Sequence, residues 1–351
     1  MRANRQSQVT LVNSPVSGVD PAVSPSDPIM GVWWADRSKG YLDRSAATGT
    51  QTSIKRYGVC APHGKGDLGK WVFAPEGQGV RLQQFAGSGP DSPDAALIDF
   101  FSTWDGRPWA DPYGPAFLGQ LVQHWRLDPR MIVRLVVDNV APAERLEWMT
   151  YTVSTDGRTL AVTSWDHATP ELHDLMVFNK QAGEGSEDSR SGLGSPARRA
   201  TVAEPPASVL PTDPILGVWI TDAKESSLRA EQGVALAETA GRKLRFEREG
   251  DGIREERFGR DAITTPVSSF FYRFDGSEYP GPGTPTTTEQ LTSWKIDPYM
   301  VIRRVATKNR RSNWSMYALA VDGSRMVVTS WDEETTHDRH MQVFRRDIGG
   351  N

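Results

Sequence analysis

Three residues in the first half of this sequence have side chains that could act together as acid and base on a small molecule. His124, Asp105 and Tyr151 can each donate or accept a proton. An imidazole whose pKa lies near neutrality suits this work best. We interpret the three as the candidate catalytic set of a cofactor-independent lyase, isomerase or cyclase. The alternative for His124 is a structural histidine with satisfied hydrogen bonds.

A second set of residues is suited to binding. Large rigid rings near the mouth of a cavity can stack on a flat apolar molecule, and an arginine inside an apolar strand can anchor a carboxylate or a phenolate. The alternatives are a packed proline-rich loop and a surface-facing or ion-paired arginine. The predicted ligand-binding residues are Trp104, Trp109, Tyr113 and Arg134 in the first half and Arg303 in the second.

The strand that carries His124 decides whether its imidazole reaches a cavity. Trp125 follows directly, and successive side chains of a β-strand point to opposite faces. If Trp125 faces outward, His124 enters the interior. Ser293 takes the place of His124 in the second half, so chemistry based on this imidazole is confined to the first half.

These residues belong to a chain that is an internal duplication. Asp27-Pro-Ile-Met-Gly-Val-Trp33 recurs as Asp213-Pro-Ile-Leu-Gly-Val-Trp219, and the segment from Tyr151 to Asp166 recurs from Tyr317 to Asp332. Three further features of the first half have matches in the second half in the same order: Trp104-Asp-Gly, Trp125-Arg-Leu-Asp-Pro and Arg134. Collinear matches of this extent indicate a repeated domain.

Each copy has the pattern of an all-β fold. Short runs rich in Val, Ile, Thr, Trp and Tyr alternate with Gly, Pro or Asp-Gly. Asp156-Gly157 and Asp322-Gly323 are predicted hairpin turns. Closure of such a meander into a barrel would remove its exposed edges. Only residues 225–236 are typical of a helix.

Composition gives the predicted domain boundaries. Residues 1–25 are rich in Ser, Pro and Asn without periodicity, which predicts a disordered arm. Residues 181–211 are dense in Gly, Ser and Pro, which predicts a flexible linker that lets two domains lie together or apart. The predicted barrels span 26–180 and 212–348.

The opening motif and the late hairpin resemble the calycin superfamily, and more narrowly bacterial lipocalin-like domains. Both copies carry Asp-Pro-x-x-Gly-x-Trp and a late Asp-Gly-x-x-x-x-Val-Thr. The resemblance implies two tandem antiparallel lipocalin-like β-barrels, each a cup for a small apolar molecule, in a superfamily that includes some cofactor-free enzymes. It also implies that the first tryptophan plugs the closed end beneath a basic residue of the last strand, which is Lys180 in the first copy and Arg345 or Arg346 in the second.

Residues kept in both copies are predicted to serve the fold first. Trp33, Trp165, Trp219 and Trp331 are therefore expected in the core or as plugs, since aromatic rings bury much area. The hairpin from Tyr151 to Asp166, with its repeat, is expected to close each barrel.

Overall composition argues against several classes of function. The net charge is −4, from 40 basic and 44 acidic residues, so a nucleic acid or an anionic membrane surface is not an expected partner. The single Cys60 excludes an intramolecular disulfide and a Cys-rich zinc site. His337 and His340 would face opposite sides of a strand, so no metal site is predicted. A P-loop and a His-Glu-x-x-His motif are absent, and no cofactor is expected.

The leading hypothesis for function is that a barrel cavity binds a small hydrophobic molecule of aromatic or isoprenoid type. The enzyme described above is the alternative. A third possibility is a scaffold whose barrels are filled by their own side chains, and a cavity would separate it from the other two. The sequence shows neither a membrane span nor a signal peptide, so a cytoplasmic protein is expected, and the oligomeric state is left open.

Overall fold

A computed structural model describes residues 23–36, 38–39, 41–42, 69–85, 98–107, 109–110, 120–138, 145–167, 169–181, 212–222, 226, 242–259, 264–281, 289–307, 312–320, 322–337 and 339–347. The predicted arm apart from residues 23–25, the predicted linker after Gln181 and the predicted helix apart from Ser226 lie outside these residues.

The first copy forms an 11-stranded antiparallel sheet. Its order is β5-β4-β3-β1-β11-β10-β9-β8-β7-β6, with β2 paired to β11 beside this path. The strands are β1 (Gly31–Ala35), β2 (Tyr41–Leu42), β3 (Lys70–Glu76), β4 (Gly79–Phe85), β5 (Ile98–Ser102), β6 (Trp109–Ala110), β7 (Gln120–Asp128), β8 (Met131–Asp138), β9 (Arg145–Val153), β10 (Thr159–Asp166) and β11 (Thr169–Lys180).

The second copy forms a 10-stranded antiparallel sheet in the matching order β15-β14-β13-β12-β21-β20-β19-β18-β17-β16. The strands are β12 (Gly217–Asp222), β13 (Lys243–Glu249), β14 (Gly252–Phe258), β15 (Ser268–Tyr272), β16 (Asp275–Pro280), β17 (Glu289–Asp297), β18 (Met300–Thr307), β19 (Asn313–Leu319), β20 (Arg325–Asp332) and β21 (His340–Arg346).

Each sheet curls into a nearly closed barrel, and the described residues contain no helix, so the all-β prediction of two barrels is confirmed. The end strands, β5 and β6 in one barrel and β15 and β16 in the other, are neighbours along the chain. They therefore come together without a long connection. Apolar side chains fill each interior in a separate cluster.

The opening motif places a fully buried tryptophan in the interior cluster of each barrel. Trp33 donates its indole hydrogen to the carbonyl of Ile29 at 2.7 Å, and Trp219 does the same to Ile215 at 2.9 Å. Lys180 lies 5.1 Å from the Trp33 ring, and Arg346 lies 4.4 Å from the Trp219 ring. Of the two arginines considered for the second copy, Arg346 therefore takes this place, while Arg345 pairs with Asp222.

The repeated hairpins do not put their tryptophans inside the barrels. Leu160 and Val162 of β10 point into the first interior, whereas Trp165, on the opposite face of the strand, is buried in another apolar cluster. Trp331 lies in that same cluster. The expectation that Trp165 and Trp331 are buried in a core is confirmed, and the core that holds them lies between the barrels.

That cluster is the contact between the two barrels, and it uses equivalent positions from each copy. The pairs of equivalent residues are Trp125 and Trp294, Leu127 and Ile296, Met131 and Met300, Val133 and Ile302, Trp148 and Trp314, and Trp165 and Trp331. Polar contacts frame it, among them Arg339 donating to Thr152 Oγ1 at 3.4 Å and Arg304 lying 3.7 Å from Asp128. The described faces of the barrels thus share one core.

Two glycines with positive φ give a matched test of local packing. Gly106 (φ 81°) and Gly157 (φ 69°) both require a backbone that costs an alanine about 1–2 kcal/mol. A Cβ on Gly106 would lie 2.1 Å from Trp125 Nε1, whereas one on Gly157 would meet nothing within 4 Å. We expect Gly106→Ala to lower the free energy of unfolding in urea by roughly 1–3 kcal/mol more than Gly157→Ala does. Equal losses would contradict the close packing of Gly106 on Trp125.

Candidate functional site

The interior of the first barrel contains a small void. Its walls include the apolar side chains of Phe73, Leu82 and Ile132, and Trp104 closes one side. Ser102, His124 and Tyr151 bring polar atoms to it. The space open to the centre of a water molecule is about 10 Å³, which is room for one water.

His124 faces this void from β7, and the next residue, Trp125, faces outward into the contact between the barrels. The backbone around His124 is fixed on both sides. Its carbonyl accepts a hydrogen bond from Gly106 N at 2.8 Å, and it is the register partner of Arg134 on β8. The period of two along β7 therefore delivers the imidazole to the interior, as the sequence predicts when Trp125 faces outward.

The surroundings of His124 keep its imidazole neutral. Burial and, second, the charge of Arg134 hold the pKa of His124 well below its usual 6.5. This environment therefore does not give His124 the near-neutral pKa that acid–base catalysis would favour. At neutral pH the side chain is a neutral hydrogen-bonding group.

Arg134, Tyr151 and Met149 form a buried polar cluster beside the void. Arg134 Nη1 donates to the Tyr151 hydroxyl at 3.1 Å. The Tyr151 hydroxyl in turn donates to Met149 Sδ at 3.6 Å, and Arg134 Nη1 also reaches that sulfur at 3.8 Å. The His124 and Tyr151 rings lie 6.3 Å apart. The structure thus brings His124, Arg134 and Tyr151 together.

Asp105 is not brought to this cluster. Its Oδ1 accepts hydrogen bonds from Thr103 Oγ1 at 2.6 Å and from Arg107 N at 3.1 Å, and its other oxygen pairs with Arg107. The carboxylate therefore fixes a turn and is not among the groups that line the void. The proposed set of His124, Asp105 and Tyr151 is not assembled in this structure.

The predicted aromatic binding residues are only partly described. Trp104 lines the void, and the Arg126 guanidinium lies 5.1 Å from its ring and pairs with Asp27 at 2.8 Å. Trp109 lies in β6, where its backbone pairs with Val122, but its side chain and the whole of Tyr113 lie outside the described residues.

Arg303 occupies the second barrel in the same register, but its partner there is a carboxylate. Arg303 Nη1 lies 2.7 Å from Glu255 Oε2, and Tyr272 donates to the same oxygen at 3.0 Å. Arg257 Nε donates to Glu255 Oε1 at 3.0 Å. Arg303 is therefore the ion-paired arginine that the sequence left as an alternative.

The surroundings of this group lower the pKa of Glu255 and raise the pKa of Tyr317. Burial alone would raise the pKa of Glu255, but the charges and hydrogen bonds of Arg303 and Arg257 outweigh it, so this pKa lies below its usual value. Burial, opposed by the charge of Arg303, raises the pKa of Tyr317 to about 12. The carboxylate is ionised and the phenol is protonated at neutral pH.

Sequence reasoning missed Glu255 and Met149. Glu255 lies in Arg254-Glu-Glu-Arg257, a charged run that is typical of a solvent-facing strand. The available signal was the alternation with Ile253, which puts Glu255 on the inner face of β14. Met149 was indistinguishable from any core methionine.

The described residues also bear on metal binding and on membrane insertion. In these parts of the chain, no three His, Cys, Asp or Glu side chains lie close enough to share a metal ion. The same residues contain no helix that is long and apolar enough to cross a bilayer.

Comparison with known proteins gives distant structural likenesses. No protein-family model and no curated protein matches the chain. A Schistosoma mansoni fatty acid binding protein in complex with arachidonic acid is 15% identical, with 38% of this chain and 96% of that chain covered and a TM-score of 0.30. A Nostoc punctiforme protein of unknown function from the DUF3598 family is 12% identical, with 92% and 97% covered and a TM-score of 0.29. At these values, the function has to be argued from the chain's own residues.

Proposed function

We propose that the first barrel binds a small hydrophobic molecule that carries a hydrogen-bond-accepting head group. The head group lies against Arg134 and Tyr151, with His124 beside it. The apolar body lies against Leu82, Ile132 and the ring of Trp104. Apolar walls with a few convergent polar groups are the usual composition of a small-molecule site.

One observation carries this proposal: two buried donors of the interior, Arg134 and Tyr151, share a sulfur atom as an acceptor. Arg134 and Tyr151 direct hydrogens at Met149 Sδ, at 3.8 Å and 3.6 Å. A thioether sulfur is a weak hydrogen-bond acceptor. Hydrogen bonds that involve a charged group are about twice as strong as those between two neutral groups. Both donors would therefore gain if a ligand oxygen replaced the sulfur.

The void at rest is smaller than such a molecule, so binding requires side chains to move. Met149 is unbranched and has several rotatable bonds, so its side chain can adapt to a neighbouring ligand. Its withdrawal would enlarge the space beside Arg134 and Tyr151.

Titration of the purified chain with aromatic and isoprenoid-type compounds tests this function. Suitable probes are 2-naphthol, 2-naphthoic acid, farnesol and farnesoic acid, measured by isothermal titration calorimetry. We expect saturable binding with one site per chain, and Arg134→Met should weaken it roughly 10–150-fold, which corresponds to the loss of a hydrogen bond to a charged group. Arg158→Met, at an exposed turn residue of the same barrel, is the matched control and should leave affinity unchanged.

The position of the bound molecule has a separate readout. Because Trp104 borders the void, its fluorescence should change on binding, and the change should disappear in Trp104→Phe. Urea unfolding of each variant shows whether it is folded. Absence of binding by every probe, or binding that Arg134→Met does not alter, would contradict the proposal.

A further inference from the structure

We infer that the head group of the molecule bound by the first barrel is a carboxylate, because the second barrel holds a carboxylate of its own at the equivalent place. This inference rests on the proposed function and specifies the class of ligand. It is drawn from a position-by-position comparison of the two interiors.

The two interiors are related by strand register. Val80 pairs with Ser102 as Ile253 pairs with Tyr272, and His124 pairs with Arg134 as Ser293 pairs with Arg303. The resulting equivalent positions, first barrel before second, are Leu82 and Glu255, Gln84 and Arg257, Ser102 and Tyr272, His124 and Ser293, Arg134 and Arg303, Met149 and Ser315, and Tyr151 and Tyr317.

In the second barrel the carboxylate is fully accommodated by the fold. Glu255 is 0% exposed, yet both of its oxygens receive hydrogen bonds, from Arg303 and Tyr272 on one and from Arg257 on the other. The Arg303 guanidinium also lies 4.8 Å from the Tyr317 ring. A buried carboxylate is costly unless it is paired in this way, so this geometry is an arrangement built for one.

The first barrel keeps the arginine that pairs with Glu255 but replaces the acid and its other two donors, with Gln84 at the Arg257 position. Leu82 occupies the Glu255 position and cannot present an oxygen, and Ser102 replaces the large Tyr272 ring. Arg134 and Tyr151 are retained, and they point at the Met149 sulfur. A carboxylate from outside the chain would thus meet Arg134, the counterpart of the arginine that pairs with Glu255 in the second barrel. Tyr151 lies beside it, as Tyr317 lies beside Arg303.

With Leu82 in place of an acid, the charge of Arg134 determines which ligand head groups the first barrel favours. An ammonium group would be repelled by Arg134. An alcohol or an ester could accept hydrogen bonds from Arg134 but would lack the attraction between opposite charges that a carboxylate adds. The expected ligands are therefore monocarboxylic acids with an apolar body. The second barrel is expected not to bind them, since Glu255 already occupies its arginine.

Matched compounds on one carbon skeleton test the head group. The probes are 2-naphthoic acid, its methyl ester, 2-naphthalenemethanol and 2-naphthalenemethylamine, with farnesoic acid and farnesol as a second skeleton. Calorimetry should show the acids binding at least about 10-fold more tightly than the ester and alcohols, and the amine not binding. Arg134→Met should remove the difference. Equal affinity of acid, ester and alcohol would overturn the carboxylate inference while leaving the binding function intact, whereas no binding by any probe would refute the binding function itself.

A carboxylate placed by mutation gives an independent test. Leu82→Glu should supply the first barrel with the occupant that the second already has, and it should lower the affinity for 2-naphthoic acid at least about 10-fold. Leu82→Gln, which has the same shape without the charge, should reduce the affinity less. Unchanged binding of the acid by folded Leu82→Glu would overturn the inference.

The reverse experiment uses the second barrel. In the full chain carrying Glu255→Ala, acetate or propionate should raise the melting temperature by binding at Arg303, while chloride at the same ionic strength should not. The wild-type chain should show no such difference between anions. If folded Glu255→Ala gains nothing from acetate, the arginine site of this fold does not favour a free carboxylate and the inference fails. Should that variant not fold, Leu82→Glu decides.

Discussion

Glu255→Leu should lower the free energy of unfolding by about 3–5 kcal/mol, because it leaves the buried Arg303 guanidinium without its carboxylate. Tyr272 loses its acceptor in the same step. The double variant Glu255→Leu/Arg303→Met removes the two fully buried charges and replaces them with apolar side chains of similar size, while Arg257, whose side chain is 34% exposed, keeps access to water. It should therefore unfold within about 2 kcal/mol of the wild-type chain, or be more stable. The two results together separate the cost of a stranded charge from the net contribution of the pair.

Urea unfolding at neutral pH measures these differences, with Glu256→Leu as the control. Glu256 is the next residue on β14 and pairs with Arg245 on the outer face, so its loss should cost at most about 1 kcal/mol. A single variant Glu255→Leu that is no less stable than the double variant would contradict the ion-pair account.

The pH dependence of stability gives a second readout of the same group. Because the pKa of Glu255 is lowered in the folded chain, its contribution is complete above the ordinary value of 4.5 and is lost as the pH falls through the folded pKa. The double variant should accordingly lose less stability between pH 5 and pH 3 than the wild-type chain does. Parallel loss in both would show that other carboxylates dominate in this range.

The class of fold could be predicted from the sequence because it depends on local patterns. Alternating apolar residues and the Asp-Gly turns at Gly157 and Gly323 indicate hairpins wherever they occur. The duplication then supplies the second barrel without further information. Register follows as well, since a slip of one residue would expose the inner face of every strand.

The contact between the barrels could not be predicted in the same way. On β7 and β10, both faces of the strand carry residues that can be buried. The alternation therefore shows which face Trp125 and Trp165 share, but it does not show whether that face packs inside its own barrel or against another one. The burial of Trp165 and Trp331 is predictable from the sequence, but the second barrel that covers them is not. Only the arrangement of the two sheets reveals that partner.

The candidate site was predictable in its strand-borne members and not in its loop-borne ones. His124, Arg134 and Tyr151 lie on three adjacent strands, and register alone brings them together. Asp105 lies in a turn, where a short carboxylate satisfies nearby backbone and side-chain donors before it reaches a cavity. The position of Asp105 in the sequence relative to His124 does not show whether its carboxylate reaches the cavity or binds these nearby donors.

The contact between the barrels should also govern how they unfold, and Trp314 is the residue that tests it. Its ring stacks between Trp294 at 5.9 Å and Trp331 at 6.5 Å, and its Nε1 donates to Glu333 at 3.1 Å. Trp314→Ala should lower the free energy of unfolding by about 3–5 kcal/mol, the usual cost of removing a buried tryptophan. Because the missing ring belongs to the shared cluster, part of this loss falls on the coupling between the barrels and not on either interior.

Scanning calorimetry distinguishes that loss of coupling from a general loss of stability. The wild-type chain should melt in one cooperative transition, since two barrels that share a core stabilise each other, whereas Trp314→Ala should melt in two. Trp34→Ala is the matched control, because Trp34 lies on the outside of the first barrel, away from the contact, where it donates to Gln181. That variant should keep one transition and lose about 1 kcal/mol, roughly one hydrogen bond. Two separate transitions in the wild-type chain would mean that the tryptophan contact joins the barrels without coupling their unfolding, and the role assigned to Trp314 would then be wrong.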